Sequence, residues 1–344
     1  MAGIDLLSLT PHQVSRDLRG YSVFFYGDPK TGKTTTAAHF PESLLLAFEK
    51  GYNAIPGIMA QPINSWAEFR KVLRQLKTEE VKQKFSTIII DTADIAYDYC
   101  VKYICDNAKR SDGGYGVDAI SDIPFGKGYG LVSSEFDETL RSIVQMDYGL
   151  VLISHATDKV FTDEQGVEYN KITPTLDKRA TNIVSRMADI IGYSRVVKDE
   201  KGNQQTRLFI RGTDRYVAGS RFKYTPDSIE FNYNNLTKAI ADAIDEQAKE
   251  TDNKYFTDAR SNLYTDTTKE LDFDELMTSF NDIINRLIAN NEESVFQEFY
   301  QPRIMQITDK YLGRGQKVSQ MSREQVEALS LIVEDLQELE KLKK

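Results

Sequence analysis

The fold is decided by the stretch Tyr21-Ser22-Val23-Phe24-Phe25-Tyr26-Gly27-Asp28-Pro29-Lys30-Thr31-Gly32-Lys33-Thr34-Thr35. Its first six residues are mostly apolar, aromatic or β-branched, which predicts a buried central strand. Residues 27–34 match the pattern G-x-x-x-x-G-K-[ST] in full, and the Thr- and Ala-rich run 34–38 can begin a helix. In such a strand–loop–helix setting, successive backbone N–H groups and the helix N-terminus bind nucleotide phosphates.

The pattern therefore predicts a binding site for ATP or GTP, and the alternative is a plain glycine turn between a strand and a helix. Lys33 is expected to reach the β- and γ-phosphates, and the hydroxyl of Thr34 is expected to bind Mg²⁺. The residues predicted to hold the nucleotide are Gly27, Asp28, Pro29, Lys30, Thr31, Gly32, Lys33, Thr34 and Thr35.

The composition is that of a soluble globular protein, with 40% hydrophobic and 28% charged residues among 344. No apolar run approaches the roughly 18 residues that a membrane span needs. The N-terminus lacks the basic and apolar regions of a secretory signal. We therefore expect a cytoplasmic protein with no membrane partner.

The net charge of −9 is unevenly distributed along the chain. Residues 246–344 carry 20 acidic and 13 basic side chains, whereas residues 1–245 carry 32 and 30. A net negative charge argues against binding to nucleic acid, which is itself negatively charged. A nearly neutral region can still carry a local basic groove. The charge of residues 1–245 therefore does not exclude binding to nucleic acid.

The chain is predicted to contain an α/β core followed by a small helical region. Strand and helix patterns alternate over residues 19–245, which predicts a mainly parallel sheet flanked by helices. Residues 1–18 are interpreted as an N-terminal extension and the polar stretch 246–272 as a linker. Residues 273–344 show helical patterns at about 273–290, at 294–312 and after a capping box at Ser322 and Gln325.

Polar residues follow three of the predicted buried strands. Asp91 closes the run 86–90, Glu49 follows the run 43–48, and His155 follows the run 149–154. Because the carboxyl ends of parallel strands share one edge of the sheet, these side chains are expected near the nucleotide. Asp91 is predicted to bind Mg²⁺, Glu49 to activate the attacking water, and His155 to contact the γ-phosphate. The alternatives are a helix-capping aspartate, a surface glutamate and a histidine that caps a loop.

Two arginines beyond a further strand are candidates for a contact to the nucleotide of a neighbouring subunit. Arg211 ends the predicted strand 206–211 and Arg215 follows it, and phosphoryl-transfer sites often take a cation from a neighbouring subunit. The alternative is that both arginines are solvated loop residues.

The order of these parts resembles the RecA-type ATPase core. Within that class the chain looks most like the phage RecA-like single-strand annealing and recombination ATPases, AAA-type nucleotide-binding proteins with a P-loop. The resemblance covers about residues 19–245 and is carried by residues 26–35, 125–129, 153–155 and 218–222. The chain departs from the family pattern at two places. His155 stands where RecA recombinases usually carry glutamine, and the C-terminal helical region has no counterpart in the RecA-type core.

The resemblance implies a RecA-like sheet in which the strand of His155 lies between the strands of the loop and of Asp91. It also implies an ATPase that uses ATP and Mg²⁺ and binds single-stranded DNA in the cytoplasm of an infected bacterial host. Self-association into rings or filaments with ATP sites between subunits is implied as well, and a single-strand-binding protein is a possible further partner.

In RecA-type proteins, two loops face DNA: one follows the helix after the strand of Asp91, and the other follows the strand of His155. The corresponding segments 109–130 and 157–179 contain lysines and arginines, which can bind phosphates, and tyrosines, which can stack on bases. Both segments also contain acidic residues, and the first can instead be a glycine-rich loop that closes over nucleotide. The candidates for DNA binding are Lys109, Arg110, Tyr115, Lys127, Tyr129, Lys159 and Lys171.

Three other functions remain open at this point. The chain can be a helicase or loader-type motor accessory in phage replication, or a non-catalytic assembly protein that is switched by nucleotide. A small-molecule kinase is disfavoured by Glu49 and by the second region of the chain.

Overall fold

The computed structural model describes residues 7, 10–110, 112–198, 201–252, 254–261 and 271–342. The chain forms two compact units, Met1–Asp266 and Thr267–Lys344. Residues 1–6 and 8–9 of the predicted N-terminal extension, and residues 253 and 262–270 of the predicted linker, lie outside the described residues.

The first unit is built on strands whose sequences are rich in apolar and β-branched residues. The strands are β1 Val14–Ser15, β2 Ser22–Gly27, β3 Ser43–Ala47, β4 Ala60–Pro62, β5 Thr87–Asp91, β6 Gly149–Thr162, β7 Glu168–Pro174, β8 Ile190–Lys198, β9 Gln204–Phe209, β10 Gly219–Ser220, β11 Ser228–Glu230 and β12 Phe256–Thr257.

Ten of these strands form one sheet within the described residues. Eight of them lie in the order β11-β9-β8-β2-β6-β5-β3-β4; β7 also pairs with β6, and β10 with β8. The six strands from β8 to β4 pair in parallel, and β9 and β11 extend the sheet in antiparallel fashion. The strand of His155, β6, lies between β2 and β5, which confirms the strand order implied by the resemblance.

Helices cover both sides of this sheet, as predicted. The helices of the first unit are α1 Lys33–Ala38, α2 Trp66–Leu76, α3 Glu79–Lys84, α4 Ala93–Asn107, α5 Gly128–Gln145, α6 Lys178–Met187 and α7 Tyr233–Ala248. Side chains alternate along β2, so Phe24 and Tyr26 pack with α2, α4, α5 and α6, whereas Val23 and Phe25 pack with α1 and α7. The unit is therefore a three-layer α/β structure.

β6 is longer than the sequence predicts. It does not end before His155 but continues to Thr162 and pairs with β7, from Ala156↔Pro174 to Thr162↔Glu168. The alternating residues 159–173 around the turn 163–166 predict a hairpin, and the structure shows that this hairpin is an extension of the central strand. We call residues 156–174 the first ribbon.

The predicted linker differs from the structure in its described part. Residues 246–248 end α7, and β12 pairs in parallel with β1 near the N-terminus. The Ser15 hydroxyl donates a hydrogen bond to the carbonyl oxygen of Ala259 at 2.7 Å. The stretch therefore belongs to the first unit up to residue 261.

The second unit is helical, as its apolar periodicity predicts. It contains α8 Phe273–Ala289, α9 Glu293–Val295, a π-helical turn Phe296–Tyr300, α10 Gln301–Leu312 and α11 Val326–Lys341. The apolar stripe of α11 packs inside this unit around Leu329, Val333 and Leu336. The Ser322 backbone N–H donates to the Gln325 side chain at 3.0 Å, one half of the predicted capping box.

Candidate active site

The glycine that opens the loop lies where neighbouring strands approach closely. Gly27 ends β2, in register with His155 on β6 and Ser194 on β8. A Cβ atom at Gly27 would lie 2.1 Å from the Ser194 carbonyl oxygen, so any side chain there would collide with β8. Thr31 in the loop also bonds to the Ser194 hydroxyl at 2.8 Å. Ser194, which sequence analysis did not identify, therefore fixes the loop against the sheet.

The lysine of the loop is held on the loop itself. Lys33 is 5% exposed, and its Nζ donates to the carbonyl oxygens of Gly27 at 2.9 Å and Asp28 at 2.7 Å. Burial lowers the pKa of Lys33, and the nearby carboxylate of Asp91 opposes this shift. The ammonium is thus pre-placed at the loop, where phosphate oxygens can replace the two carbonyls.

The predicted magnesium ligands contact each other directly. The Thr34 hydroxyl donates to Asp91 Oδ2 at 2.7 Å. Asp91 is 4% exposed, and its burial raises the pKa of the carboxyl group, an effect that the hydrogen bond from Thr34 opposes. A hydroxyl and a carboxylate side by side are hard oxygen ligands, the kind Mg²⁺ takes together with substrate phosphates. The residues present therefore fit this ion.

The raised pKa of Asp91 has a consequence for stability. The folded chain binds a proton at Asp91 more tightly than the unfolded chain, so the free energy of unfolding falls as pH rises through this raised pKa. Asp91→Asn keeps an acceptor for Thr34 and removes the buried charge. We expect this variant, without nucleotide, to unfold about 2–4 °C higher than the wild type at neutral pH.

Thermal unfolding followed by circular dichroism from acidic to neutral pH would check this expectation. The difference between the two proteins should shrink as pH falls, because the wild-type carboxyl becomes protonated. A variant that unfolds below the wild type at neutral pH would contradict the expectation.

The predicted base and sensor lie next to the magnesium ligands. The Glu49 backbone N–H donates to the Asp91 carbonyl oxygen at 3.1 Å, which fixes Glu49 beside the end of β5. His155 Nε2 lies 3.4 Å from Glu49 Oε2. The other ring nitrogen, Nδ1, is buried and has no hydrogen-bond partner among the described residues. The structure thus brings Lys33, Thr34, Asp91, Glu49 and His155 to one edge of the sheet.

One carboxylate of this edge was missed in the sequence. Asp94, in the first turn of α4, accepts hydrogen bonds from the Ser154 hydroxyl at 3.1 Å and the Thr175 hydroxyl at 2.6 Å. It thereby links α4, β6 and the end of the first ribbon beside His155. The only sequence signal was its spacing, three residues after Asp91.

The two candidate arginines stand apart from the loop. Within the described structure, no hydrogen bond or ion pair joins Arg211 or Arg215 to residues 27–34. The Arg211 guanidinium donates to the carbonyl oxygens of Thr225, at 3.1 Å, and Lys223. The Arg215 carbonyl oxygen accepts from the Ile172 backbone at the base of the first ribbon, at 2.8 Å. A contact to a neighbouring subunit stays a prediction for both arginines.

The glycine-rich segment presents aromatic side chains to solvent. Tyr115 is 71% exposed and Phe125 is 94% exposed. The Arg179 guanidinium lies 4.1 Å from the centre of the Tyr129 ring, and so joins this segment to the start of α6. The other candidates in this segment, Lys109, Arg110 and Lys127, are all exposed. Lys109 forms an isolated backbone β-bridge with Tyr115, and Arg110 forms an ion pair with Asp112. The Lys127 ammonium lies over the ring of Phe125.

The first ribbon separates its mixed charges onto two faces. Lys159 lies directly opposite Lys171, and Phe161 lies opposite Tyr169 with ring centres 6.0 Å apart. Because side chains alternate along a strand, these four residues share one face, which we call the aromatic face. The other face carries Asp158, Val160 and Glu168. The sequence analysis identified the two lysines but missed Phe161 and Tyr169. The signal that could have found them is the alternation of these rings and lysines with acidic residues along the sequence.

Two further observations bear on ligands. Among the described residues, no helix is long and apolar enough to cross a membrane. The part of the chain that the structure describes also contains no cluster of three or more His, Cys, Asp or Glu side chains that could hold a metal ion. An ion at Thr34 and Asp91 would therefore need oxygen ligands from nucleotide or water.

The chain is similar to known proteins over most of its length. Residues 19–222, more than half of the chain, match the family model described as an AAA domain. The chain is 33% identical over 346 residues to the SPbeta prophage-derived uncharacterized protein YorG of Bacillus subtilis (strain 168), covering 98% of each chain.

Among solved structures, the flagellar accessory protein FlaH from Methanocaldococcus jannaschii matches 62% of this chain and 85% of its own, with 11% identity and a TM-score of 0.33. That score is too low to establish a shared fold. The matched residues 19–222 include the phosphate loop, and the chain belongs to the AAA domain family, with a nucleotide-binding P-loop domain.

Proposed function

We propose that the chain hydrolyses Mg²⁺-ATP, binds single-stranded DNA and promotes annealing or strand exchange in phage DNA recombination. The observation that carries the proposal is the convergence of Lys33, Thr34, Asp91 and Glu49 at one sheet edge. A prophage-derived relative along the full chain supports a phage context. The proposal places the protein in the cytoplasm of an infected bacterium, where it self-associates with ATP sites between subunits.

The proposed binding step uses groups that the chain already holds in place. Phosphate oxygens replace the carbonyls of Gly27 and Asp28 on the Lys33 ammonium, which gains a charge-assisted bond. A bound Mg²⁺ supplies Lewis-acid stabilisation of the phosphate charge. The side-chain oxygens of Thr34 and Asp91, which contact each other directly, would hold that ion.

The proposed hydrolytic step uses the pair of Glu49 and His155. Glu49 accepts a proton from the attacking water and so acts as the general base. His155, 3.4 Å from the Glu49 carboxylate, holds that side chain until the γ-phosphate offers the imidazole another partner. Occupancy of the phosphate site thus frees the base for water.

The proposed DNA site includes the aromatic face of the first ribbon. Like charges directly opposite each other destabilise a strand pair, and Lys159 and Lys171 are such a pair. A phosphate between them would remove that repulsion. Phe161, 38% exposed, and Tyr169 lie next along the face, where bases can stack. The face therefore combines the two contacts that single-strand binders use.

Phe161→Ala is expected to weaken single-strand binding by about 5- to 150-fold, because stacking contributes about 1–3 kcal/mol per base. Lys159→Ala is expected to reduce the salt dependence of binding by about 0.7 in log–log slope. Fluorescence anisotropy with a labelled oligonucleotide at several salt concentrations measures both.

Val160→Ala is the matched control, since Val160 is 64% exposed on the opposite face of the same ribbon. Its affinity should equal that of the wild type. Unchanged affinity in Phe161→Ala and Lys159→Ala would remove the ribbon from the DNA site. ATP-driven strand displacement would instead assign a helicase function.

A further inference from the structure

α5 and α6 pack against each other and end at the edge of the sheet opposite to the phosphate loop. α5 ends at Gln145, shortly before β6 begins at Gly149, and α6 ends at Met187, shortly before β8 begins at Ile190. The phosphate loop follows the other, carboxyl end of β2, which is parallel to both strands. The ends of α5 and α6 are therefore remote from the nucleotide site.

A small cavity of about 80 Å³ lies between these two helix ends. Its lining residues are Arg141, Val144 and Gln145 of α5 and Arg186 and Met187 of α6. Val144 and Met187 are 3% and 4% exposed and belong to the apolar core beneath these helices. The floor of the cavity is therefore apolar.

The rim of the cavity is cationic, because Arg141 and Arg186 are both exposed beside it. Arg141 binds Asp137 through its Nε atom, at 2.9 Å and 3.0 Å from the two carboxylate oxygens, which leaves its terminal nitrogens for another partner. Within the described residues, the Arg186 guanidinium makes no hydrogen bond or ion pair. Two guanidinium groups with unused donors thus stand beside an apolar cavity.

The end of α6 is held in place and is locally positive. The Arg221 guanidinium donates to the Arg186 carbonyl oxygen at 2.6 Å and to the Asp189 carboxylate at 3.0 Å. In a chain of net charge −9, α6 carries three basic and no acidic side chains: Lys178, Arg179 and Arg186. Charge complementarity therefore favours an acidic partner at this surface.

The size of the cavity determines what can enter it. Pockets for small-molecule ligands usually measure about 300–1,000 Å³, so this cavity is too small for a nucleotide. The end of one aliphatic side chain fits, and its burial against the apolar floor is favourable. A carboxylate next to that side chain can bind a guanidinium through two parallel hydrogen bonds. An acidic peptide with one aliphatic side chain has both groups.

We propose that this cavity binds an acidic segment of a partner protein. An aliphatic side chain of the partner enters the cavity, and carboxylates on either side of it pair with Arg141 and Arg186. The site lies at the sheet edge opposite to the phosphate loop, so it acts apart from the proposed ATPase and DNA sites. The chain can therefore bind this partner while it holds nucleotide.

A short synthetic peptide tests the site. The probe is a fluorescein-labelled peptide of sequence Glu-Asp-Glu-Leu-Asp-Glu, whose binding to the full chain is measured by fluorescence anisotropy. The wild type should bind it saturably at about 50 mM NaCl and about tenfold or more weakly at about 500 mM, because exposed ion pairs are screened. A peptide with alanine in place of leucine should bind about tenfold or more weakly, because it leaves the cavity unfilled.

Arg186→Met keeps an apolar stem beside the cavity and removes the charge. This variant should bind the leucine peptide about tenfold or more weakly than the wild type, because it loses a hydrogen-bonded charge pair. Lys178→Met is the matched control, since Lys178 is exposed at the other end of α6 and loses the same charge. It should bind the peptide like the wild type.

Three results would each overturn the proposal: a wild type that does not bind the peptide, a control as weak as Arg186→Met, or equal affinity for the leucine and alanine peptides. Single-strand affinity of the same variants gives a fourth test. If Arg186→Met loses affinity for a labelled oligonucleotide but not for the peptide, the arginines bind nucleic acid and the peptide site is wrong. Peptide binding by a wild type without ATP turnover would support this inference and contradict the proposed function.

Discussion

Glu49→Gln is expected to lower ATP turnover by about two to four orders of magnitude and to leave nucleotide binding nearly unchanged. The amide keeps the shape of the side chain and its position beside Asp91, but it cannot accept a proton from water. Steady-state phosphate release measures the turnover, and a fluorescent ATP analogue measures the binding.

The control for this change is Glu138→Gln, a carboxylate on the exposed side of α5 away from the sheet edge. Its turnover should equal that of the wild type. If Glu49→Gln turns over ATP at the wild-type rate, Glu49 is not the general base. The proposal that His155 positions Glu49 for catalysis would then also be wrong.

Lys33→Ala is expected to abolish measurable nucleotide binding and to reduce turnover by about a thousandfold or more. The Lys33 ammonium is buried at the loop and already lies where the phosphates would bind. A donor that is pre-placed in this way contributes most to transition-state stabilisation, because it need not rearrange during the reaction. Isothermal titration with Mg²⁺-ATP and phosphate release measure the two effects.

Lys30→Ala is the control, because Lys30 belongs to the same loop but is exposed. It removes one positive charge from the loop and leaves the buried ammonium of Lys33 in place. This control should retain most of its affinity. Equal losses in the two variants would mean that the loop binds phosphate through its overall charge. Circular dichroism verifies that both chains are folded.

Much of the site could be predicted because each part is local in sequence. The loop needs a strand before it and a helix after it, and both lie within 20 residues of Gly27. Asp91 and Glu49 follow short apolar runs, and the rule that parallel strands end at one edge places them together. The contact between Thr34 and Asp91 follows from these facts without any long-range information.

Contacts between distant segments could not be predicted in this way. The Gly-rich run before Tyr129 indicates a loop, yet α5 begins at Gly128, where a Cβ would lie 2.4 Å from the Ile120 carbonyl oxygen. The glycine is there for a close approach to a residue that no local pattern indicates. The bonds of Asp94 to Ser154 and Thr175 likewise join residues 60 and 81 positions apart.

The first ribbon shows a different limit. Its sequence has mixed charge, which as a one-dimensional pattern argues against any clean binding patch. Pairing in the observed register places Lys159 with Lys171 and moves Asp158 to the other face. A shift of the register by one residue would have mixed the faces again. The two faces therefore depend on pairing that composition does not determine.

The most direct test of the central claim is phosphate release from Mg²⁺-ATP by the wild type and by Glu49→Gln, with and without a single-stranded oligonucleotide. The account predicts turnover that requires Mg²⁺, increases when single strands are added, and is nearly lost in Glu49→Gln although ATP still binds. Turnover that is unchanged by DNA and equal in the two proteins would contradict it.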